Sequence, residues 1–405
     1  MIVLTALALA GDIDRLADEA VAANPGIEAL EARTRQLEEL AQVADLWPDP
    51  MLAMEYSNVP VNAPLPGNHP MSGIQLKAQQ TLPAPGVTAL RTDVAQGYVA
   101  ISQEATREAE LQLRKQVHQT WWRLALSRAL GDVTEEHLGL TTELLDAVRS
   151  RYEVGSAGQS AVLRLELLRD RLGDEVLDYV RAETQLSAAL VRALASDDRT
   201  FDTDPVEAVD VVGTVDLWME QAVENRPLLA QLELMAQNAE QAAELALADA
   251  RPDVTVWAGY RVRTQEAEGT DLISVGLSAP IPRNSSRRGD AVAAGHMEAA
   301  AAARAHYDAA EDMLHAQLLS AEAAWTRAAG KADTYETVLL PSAQSTLSTT
   351  LSDFRVGKAD FASLYDAEVV LLALERARLT AAAETRIQHA EVEALIGAEL
   401  SGGAP

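Results

Sequence analysis

The stretches "RYEVGSAGQS" (Arg151–Ser160) and "DFRVGKADFA" (Asp353–Ala362) are two versions of one pattern. In each, an aromatic residue stands three positions before a glycine, Gly155 in the first and Gly357 in the second. The two glycines are 202 positions apart in a chain of 405 residues. Glycine readily adopts the left-handed conformation that ends a helix. We therefore predict that each glycine ends one long helix and lets the chain reverse into another, forming the tip of a helical hairpin.

Proline is distributed unevenly, and its absence permits very long helices. There is none between Pro85 and Pro205 and, apart from Pro341, none between Pro282 and the end of the chain. These tracts are rich in Ala, Leu, Glu, Gln and Arg, which are strong helix formers. A helix over residues 88–151 would be on the order of 90 Å long at 1.5 Å per residue. That length favours coiled-coil packing of paired helices.

Four shorter segments alternate apolar and polar residues, which is typical of β-strands. The predicted strands cover about 51–58, 72–81, 253–263 and 271–280. The residues on their apolar faces are Leu52, Met54, Tyr56, Ile74, Leu76, Ala78, Val256, Ala258, Tyr260, Ile273, Val275 and Leu277. Apolar positions of the first strand pair map onto apolar positions of the second. The chain is therefore a predicted tandem repeat of helix, two strands and long helical hairpin.

The repeat divides the chain as follows. Residues 1–10 are a predicted truncated signal segment, because they are apolar and end in an A-x-A pattern but lack a basic n-region; the alternative is a buried first helix. The other divisions are a first repeat at 11–205 with its tip at 154–158, a second repeat at 206–400 with its tip at 356–360, and a tail at 401–405. Segments 59–70 and 264–270 are predicted loops between paired strands.

Composition argues against several classes of function. The net charge of −28 disfavours a nucleic-acid partner, because binding nucleic acid needs clustered Lys and Arg. If the acidic residues lined a pore, they would favour the passage of cations. There is no cysteine, and the seven histidines show no H-E-x-x-H spacing. No P-loop, G-x-S-x-G or G-x-G-x-x-G motif occurs. We therefore predict no enzyme activity, no cofactor and no metal site.

The strands have the alternation of outer-membrane β-strands, but four are too few to close a barrel, whose smallest single-chain form has about eight. An open sheet edge in lipid leaves backbone groups unpaired at a cost of several kcal/mol each. If these strands span a membrane, several copies must share one barrel, and their number alone accepts two copies or three. The alternative is a soluble periplasmic coiled-coil scaffold or adaptor that carries an ordinary small sheet.

From about Leu16 to Leu400, the sequence resembles the TolC-type outer-membrane efflux proteins, or outer membrane factors. The motifs that carry the resemblance are Asn24-Pro25 and Asn225-Arg226-Pro227, "WPDPML" at Trp47–Leu52, "QQTLPAPG" at Gln79–Gly86, "LSAPI" at Leu277–Ile281, and the twin "YEVG" and "FRVG" turns. Each motif is short, and it is their order along the chain and their duplication in its two halves that make the resemblance specific. The "PDPML" and "LPAPG" motifs are most similar to the CzcC-like heavy-metal branch.

The resemblance implies a mainly α fold with membrane β-structure. Three copies would form a homotrimer with one twelve-stranded barrel through the outer membrane, and the helical hairpins would form a long periplasmic α-barrel. It implies contact with outer-membrane lipid and two protein partners, a periplasmic adaptor (membrane fusion) protein and an inner-membrane pump of the RND type. The implied function is a passive exit duct for small solutes in tripartite efflux, with heavy-metal cations as a candidate cargo. A type I secretion exit duct is an alternative within the same architecture.

The resemblance also assigns roles to particular residues. The twelve apolar strand residues would face lipid. The hairpin tips that would contact the adaptor are Gly155, Ser156, Ala157, Gly158, Gly357, Lys358, Ala359 and Asp360. Family members constrict the pore with acidic rings near the tips, and Asp360 is the candidate here. Many relatives carry a lipobox cysteine; this sequence has none, so we expect no lipid anchor.

Overall fold

A computed structural model describes residues 3–59, 61–62, 71–196, 199–263 and 271–400, with side chains in the first helix described from residue 13 onward. The helices are α1 (Val3–Ala23), α2 (Pro25–Ala41), α3 (Val87–Glu153), α4 (Gln159–Ala193), α5 (Val215–Asn225), α6 (Pro227–Asp249), α7 (Ser285–Thr334), α8 (Leu340–Arg355) and α9 (Phe361–Ile396). The strands are β1 (Met51–Ser57), β2 (Gly73–Leu82), β3 (Val254–Arg263) and β4 (Leu272–Ser278). The order helix pair, strand pair, helical hairpin thus occurs twice.

The chain forms two compact units, which we call the helical unit and the sheet unit. The helical unit consists of Met1–Ala29, Thr106–Pro227 and Ala310–Pro405. The sheet unit consists of Leu30–Ala105 and Leu228–Ala309. Both units therefore draw residues from both sequence repeats. The predicted signal segment falls mostly within α1 and stays a prediction.

The sheet unit contains one antiparallel sheet with the strand order β1-β2-β3-β4. Its register brings equivalent positions of all four strands into rows; one such row is Leu52, Ala78, Ala258 and Val275. Each strand lies within two residues of its predicted bounds. The predicted loop 264–270, and most of 59–70, lie outside the described residues.

The helical unit is packed by apolar side chains from α1, α3, α4 and α9. Its largest cluster includes Leu16, Leu124, Leu190 and Ala383, all buried. Smaller clusters follow along the helices, as expected when long paired helices bury narrow stripes of side chains. The described residues between α4 and α5 form no helix or strand, and side chains bind their backbone instead. Trp325 Nε1, for example, donates a 3.0 Å hydrogen bond to the carbonyl oxygen of Val209.

The second hairpin differs from the first by a π-helical segment, Tyr335–Leu339, between α7 and α8. Pro341 lies two positions after this segment, as the second residue of α8, whereas α3 runs without interruption for 67 residues. A proline inside a helix removes one backbone hydrogen bond, and its ring clashes with the carbonyl group four residues earlier. The amide of Leu340 bonds instead to the carbonyl of Tyr335, five residues back. The wider turn lets the helix continue past the proline.

Arg226, in the Asn-Arg-Pro motif, is a buried cation that joins three parts of the helical unit. Its guanidinium forms two hydrogen bonds to the carboxylate of Glu108 on α3, at 2.9 and 2.7 Å. It also donates to the carbonyl oxygens of Ala394 and Leu395, at 2.6 and 3.1 Å. These carbonyls belong to the last turn of α9, where a helix leaves acceptors unsatisfied and favours positive charge. Arg226 thus caps α9 and pairs with Glu108 at once.

Replacing Arg226 should destabilise the helical unit strongly. Arg226→Ala leaves the end of α9 without this donor and Glu108 with only the hydrogen bond from Gln112 and no cation. We therefore expect the free energy of unfolding to fall by about 3–5 kcal/mol, the range for a buried pair that loses one partner. The measurement is denaturant unfolding of the purified protein. The control is Arg181→Ala, because Arg181 and its partner Asp178 are both exposed, and its effect should stay below about 1 kcal/mol. Equal effects of the two substitutions would contradict the role of Arg226.

Candidate channel surfaces

The apolar face of the sheet is fully open in the single chain. All twelve residues of the predicted apolar faces are exposed. Met54 is 78% exposed, Ile273 77% and Leu277 74%. The register places these side chains next to one another across all four strands, so they form a continuous apolar surface. Large exposed apolar surfaces of this kind mark contact with lipid or with another protein. Their contact with lipid stays a prediction.

The polar face of the same sheet is the more enclosed one. Gln75 is only 8% exposed, and most other polar-face residues are half-buried. Two glycines make room for larger neighbours. A Cβ atom at Gly259 would lie 2.3 Å from Nε2 of Gln75, and one at Gly276 would lie 2.5 Å from the Trp257 ring. A water-soluble sheet buries its apolar face and exposes its polar face. This sheet has the inverse arrangement, which is that of a transmembrane barrel wall.

The two outer strands of the sheet are unpaired along one side. Within the described residues, β1 pairs only with β2, and β4 pairs only with β3. Each therefore presents a row of free backbone N–H and C=O groups. In lipid such groups must find a partner strand, because no water is present to replace it.

The twin glycine turns are two copies of one hydrogen-bonded motif. Gly155 has φ 76° and Gly357 has φ 78°, both in the left-handed region. In the first turn, the amide of Gly155 bonds to the carbonyl of Tyr152, and the amide of Ser156 bonds to that of Arg151. The second turn repeats both bonds, from Gly357 to Phe354 and from Lys358 to Asp353. This is the Schellman motif, which needs a positive φ at one position.

The structure brings the two hairpin tips together. Leu145, Val148 and Leu165 of the first hairpin form a buried cluster against Phe354 and Phe361 of the second. In addition, the guanidinium carbon of Arg151 lies 4.4 Å from the centre of the Phe354 ring, a cation–π contact. The eight predicted adaptor-contact residues therefore lie at neighbouring turns of one unit. That they contact an adaptor stays a prediction.

Asp360 has a structural role in the second tip. As the N-cap of α9, its Oδ1 accepts hydrogen bonds from the backbone amide of Ser363, at 2.9 Å, and from its hydroxyl, at 2.7 Å. These bonds lower the pKa of the Asp360 carboxyl. The equivalent position in the first tip, Gly158, has no side-chain cap. The carboxylate is thus a feature of one tip only, and its place in a pore constriction stays a prediction.

A buried histidine joins the two hairpins further along the helices. His137 of α3 is 3% exposed, and its two ring nitrogens each lie 2.7 Å from a carboxylate of α9, Nδ1 from Glu368 and Nε2 from Glu375. Burial by itself would lower the pKa of His137, but the hydrogen bonds to the two glutamates outweigh it and raise the pKa to about 9. The charged imidazolium donates to both carboxylates. The two carboxylates lie at different ring nitrogens, so each can accept one hydrogen bond from the protonated ring.

The sequence analysis missed His137, Glu375 and Arg226 as partners in these contacts. His137 is an isolated histidine, and Glu368 and Glu375 follow it by more than 230 residues. No spacing in the sequence indicates that α3 and α9 are neighbours. The seven-residue interval between Glu368 and Glu375, which places both on one helix face, was the one available signal.

The described part of the chain also lacks two other kinds of feature. No described helix is both long and apolar enough to cross a membrane. No cluster of three or more His, Asp or Glu side chains suited to a metal ion occurs among the residues outside the gaps.

The two repeats correspond to two matches with one protein family. The family model described as "Outer membrane efflux protein" matches residues 16–196 and residues 218–398. The chain belongs to the outer membrane efflux protein family. Members of this family are transport channels of the outer membrane with a periplasmic helical extension, and this location applies to the chain. Assignment to the CzcC-like branch stays a prediction.

Solved structures of membrane proteins share the fold. VceC of Vibrio cholerae is 15% identical, with a TM-score of 0.76 over 96% of this chain and 97% of its own. A membrane protein of Pseudomonas aeruginosa is 17% identical, with a TM-score of 0.77 over 95% and 93%. CusC is 16% identical, with a TM-score of 0.74 over 95% and 92%. A comparison with curated proteins gives no match.

Two substitutions of Asp360 separate its capping role from its charge. Asparagine can still cap α9, so Asp360→Asn should leave the unfolding free energy nearly unchanged, whereas Asp360→Ala removes the cap and should lower it. If the carboxylate also lines the constriction, both variants should change the single-channel conductance in planar bilayers by the same amount. Unchanged conductance in both would remove Asp360 from the constriction.

The His137 cluster predicts a specific pH dependence of stability. The pKa is raised from 6.5 to about 9 on folding, so the stabilisation is complete below pH 6.5 and is lost as the pH rises through 9. The expected slope is at most about 1.4 kcal/mol per pH unit. His137→Gln should remove this slope in thermal unfolding followed by circular dichroism, whereas His315→Gln, at an exposed histidine, should retain it. An unchanged slope in His137→Gln would contradict the assignment.

Proposed function

We propose that three copies of this chain form one passive exit duct through the outer membrane, through which a tripartite efflux system releases small solutes. The inverted sheet supports the proposal most directly. Its apolar face is exposed, its polar face is enclosed, and both edges are free. Lipid would cover the apolar face, and neighbouring copies would pair with the free edges.

The geometry of the sheet favours three copies over two. Four antiparallel strands leave β1 and β4 running in opposite directions, so β4 of one copy can pair antiparallel with β1 of the next. Two copies would give eight strands, a barrel whose interior is just wide enough to be filled by side chains. Three copies give twelve strands and leave room for an aqueous passage, which a duct requires.

The helical unit would supply the periplasmic section and the contacts with partners. The eight tip residues lie at the ends of the long hairpins and would meet a periplasmic adaptor (membrane fusion) protein. An inner-membrane pump, which we propose to be of the RND type, would provide the energy, since a conduit that selects by pore width and wall charge needs no energy source of its own.

The alternative functions have less support. A soluble scaffold would leave the twelve apolar strand residues in water, where a patch of this extent promotes aggregation. A type I secretion exit duct has the same architecture, and no feature of the described residues favours it. Heavy-metal cations as cargo stay a prediction.

A disulfide cross-link between copies tests the proposed trimer, because the chain has no cysteine of its own. Met54→Cys on β1 would be combined in turn with Ile273→Cys, Val275→Cys or Leu277→Cys on β4. Within one chain, β1 and β4 are three strand spacings apart, about 14 Å. A disulfide requires Cα atoms no more than about 7 Å apart, so any bond formed must join two copies.

The expected result is a covalent trimer in the outer-membrane fraction for at least one of the three pairs. The control combines Met54→Cys with Leu76→Cys, which the register places opposite each other on β1 and β2 of one chain. That pair can close within the chain and should give no covalent oligomer. A protein that fractionates as a soluble monomer and forms no cross-link with any β4 cysteine would refute the proposal.

A further inference from the structure

The polar face of the sheet carries a net positive charge, although the whole chain carries −28. Its charged residues on the four described strands are Lys77, Arg261, Arg263 and Glu55. The excess of carboxylates in the chain therefore lies elsewhere, and the bulk charge is a poor guide to this surface.

Lys77 is positioned by an aromatic ring rather than by a carboxylate. Its Nζ lies 4.7 Å from the centre of the Trp257 ring. That ring in turn lies against Gly276, where a Cβ atom would be only 2.5 Å from it. A cation–π contact holds an ammonium group in place without neutralising its charge.

The two arginines are likewise separated from the carboxylate on this face. Nη2 of Arg261 donates a 2.7 Å hydrogen bond to Oε1 of Gln75. Gln75 stands between Glu55 on one neighbouring strand and Arg261 on the other, so a neutral amide separates the acid from the guanidinium. Across from Arg263 is Gly73, which has no side chain, and Nε of Arg263 is buried with no hydrogen-bond partner among the described residues. The carboxylate nearest to it in these contacts is Asp271, just before β4 and outside the polar face, which accepts a 3.2 Å hydrogen bond from the backbone amide of Arg263.

We infer that the strand-level section of the duct favours anionic solutes over metal cations. The inference rests on the proposed function, because the polar face lines water only if the sheet is part of a membrane barrel. Each copy in the ring adds three cations and one carboxylate to the wall. Walls of low dielectric focus the field of such charges into the passage, and rings of Arg and Lys are the usual lining of anion pores. Anionic organic solutes are therefore the expected cargo class.

Single cysteines on opposite faces of β4 can measure the local potential. Ser274→Cys gives a polar-face cysteine, in the same row as Lys77 across Gly259, and the change is nearly isosteric. Val275→Cys, at the next residue, gives an apolar-face cysteine. Whole cells that express each variant would be treated with an anionic thiol reagent, methanethiosulfonate ethylsulfonate, or a cationic one, the ethyltrimethylammonium analogue. The rates of modification are divided by those of the unfolded protein.

The polar-face cysteine should react faster with the anionic reagent, by roughly tenfold after normalisation, because a positive wall concentrates anions. Adding Lys77→Gln, Arg261→Gln and Arg263→Gln to Ser274→Cys should bring this ratio close to one. Adding Glu55→Gln alone should raise it, and this opposite shift is the matched control for perturbed folding. A ratio at or below one in the Ser274→Cys variant, or no modification of its thiol by either reagent, would overturn the inference.

The apolar-face cysteine distinguishes failure of this inference from failure of the proposed function. Lipid should protect the thiol of Val275→Cys from both charged reagents. If it reacts as readily as the polar-face cysteine, the sheet does not lie in a membrane, and the proposed duct fails together with the inference. If it is protected and the polar-face cysteine prefers the cationic reagent, the duct stands and only its proposed selectivity fails.

Discussion

The unpaired backbone groups along β1 and β4 are the constraint on which the rest of the structure depends. The four described strands have one largely apolar face and do not close into a barrel. Each unpaired edge costs several kcal/mol per group in lipid, so the sheet is complete only with other copies of the chain beside it. In the proposed barrel, the inverted distribution of polar and apolar side chains follows from the same requirement, because water would lie on the inner side of the sheet.

The long hairpins show how a duplicated sequence can keep one turn and vary what surrounds it. Both turns keep the left-handed glycine and the same two backbone hydrogen bonds. Around them, the repeats have diverged by one π-helical segment beside Pro341 and by one N-cap at Asp360. His137 and Arg226 then join elements from different repeats within the helical unit. The two halves of the chain therefore fold as partners, and neither repeat forms a separate domain.

Local patterns in the sequence predicted the helices, strands and turns. They could not predict contacts between residues that are far apart in the chain. Period-two alternation identified all four strands and both faces of each, since the side-chain period is a property of the strand itself. Gly155 and Gly357 predicted the turns because a positive φ restricts the choice of residue. The bonds from His137 to Glu368 and Glu375 join α3 to α9, and nothing local encodes that proximity. The bulk charge could not say which surface carries the carboxylates, whereas the strand positions place Lys77, Arg261 and Arg263 together on the polar face of the sheet.

The two tips are alike in backbone and unlike in charge. Gly155-Ser156-Ala157-Gly158 is neutral, whereas Gly357-Lys358-Ala359-Asp360 carries a cation and an anion. Because each chain has two tips, a trimer would have a ring of six tips in which the two kinds alternate. Such a ring approximates sixfold symmetry in its main chain but is strictly threefold in its chemistry. Any ring-shaped partner with six equivalent contacts would have to accommodate two different surfaces, or engage only every second tip.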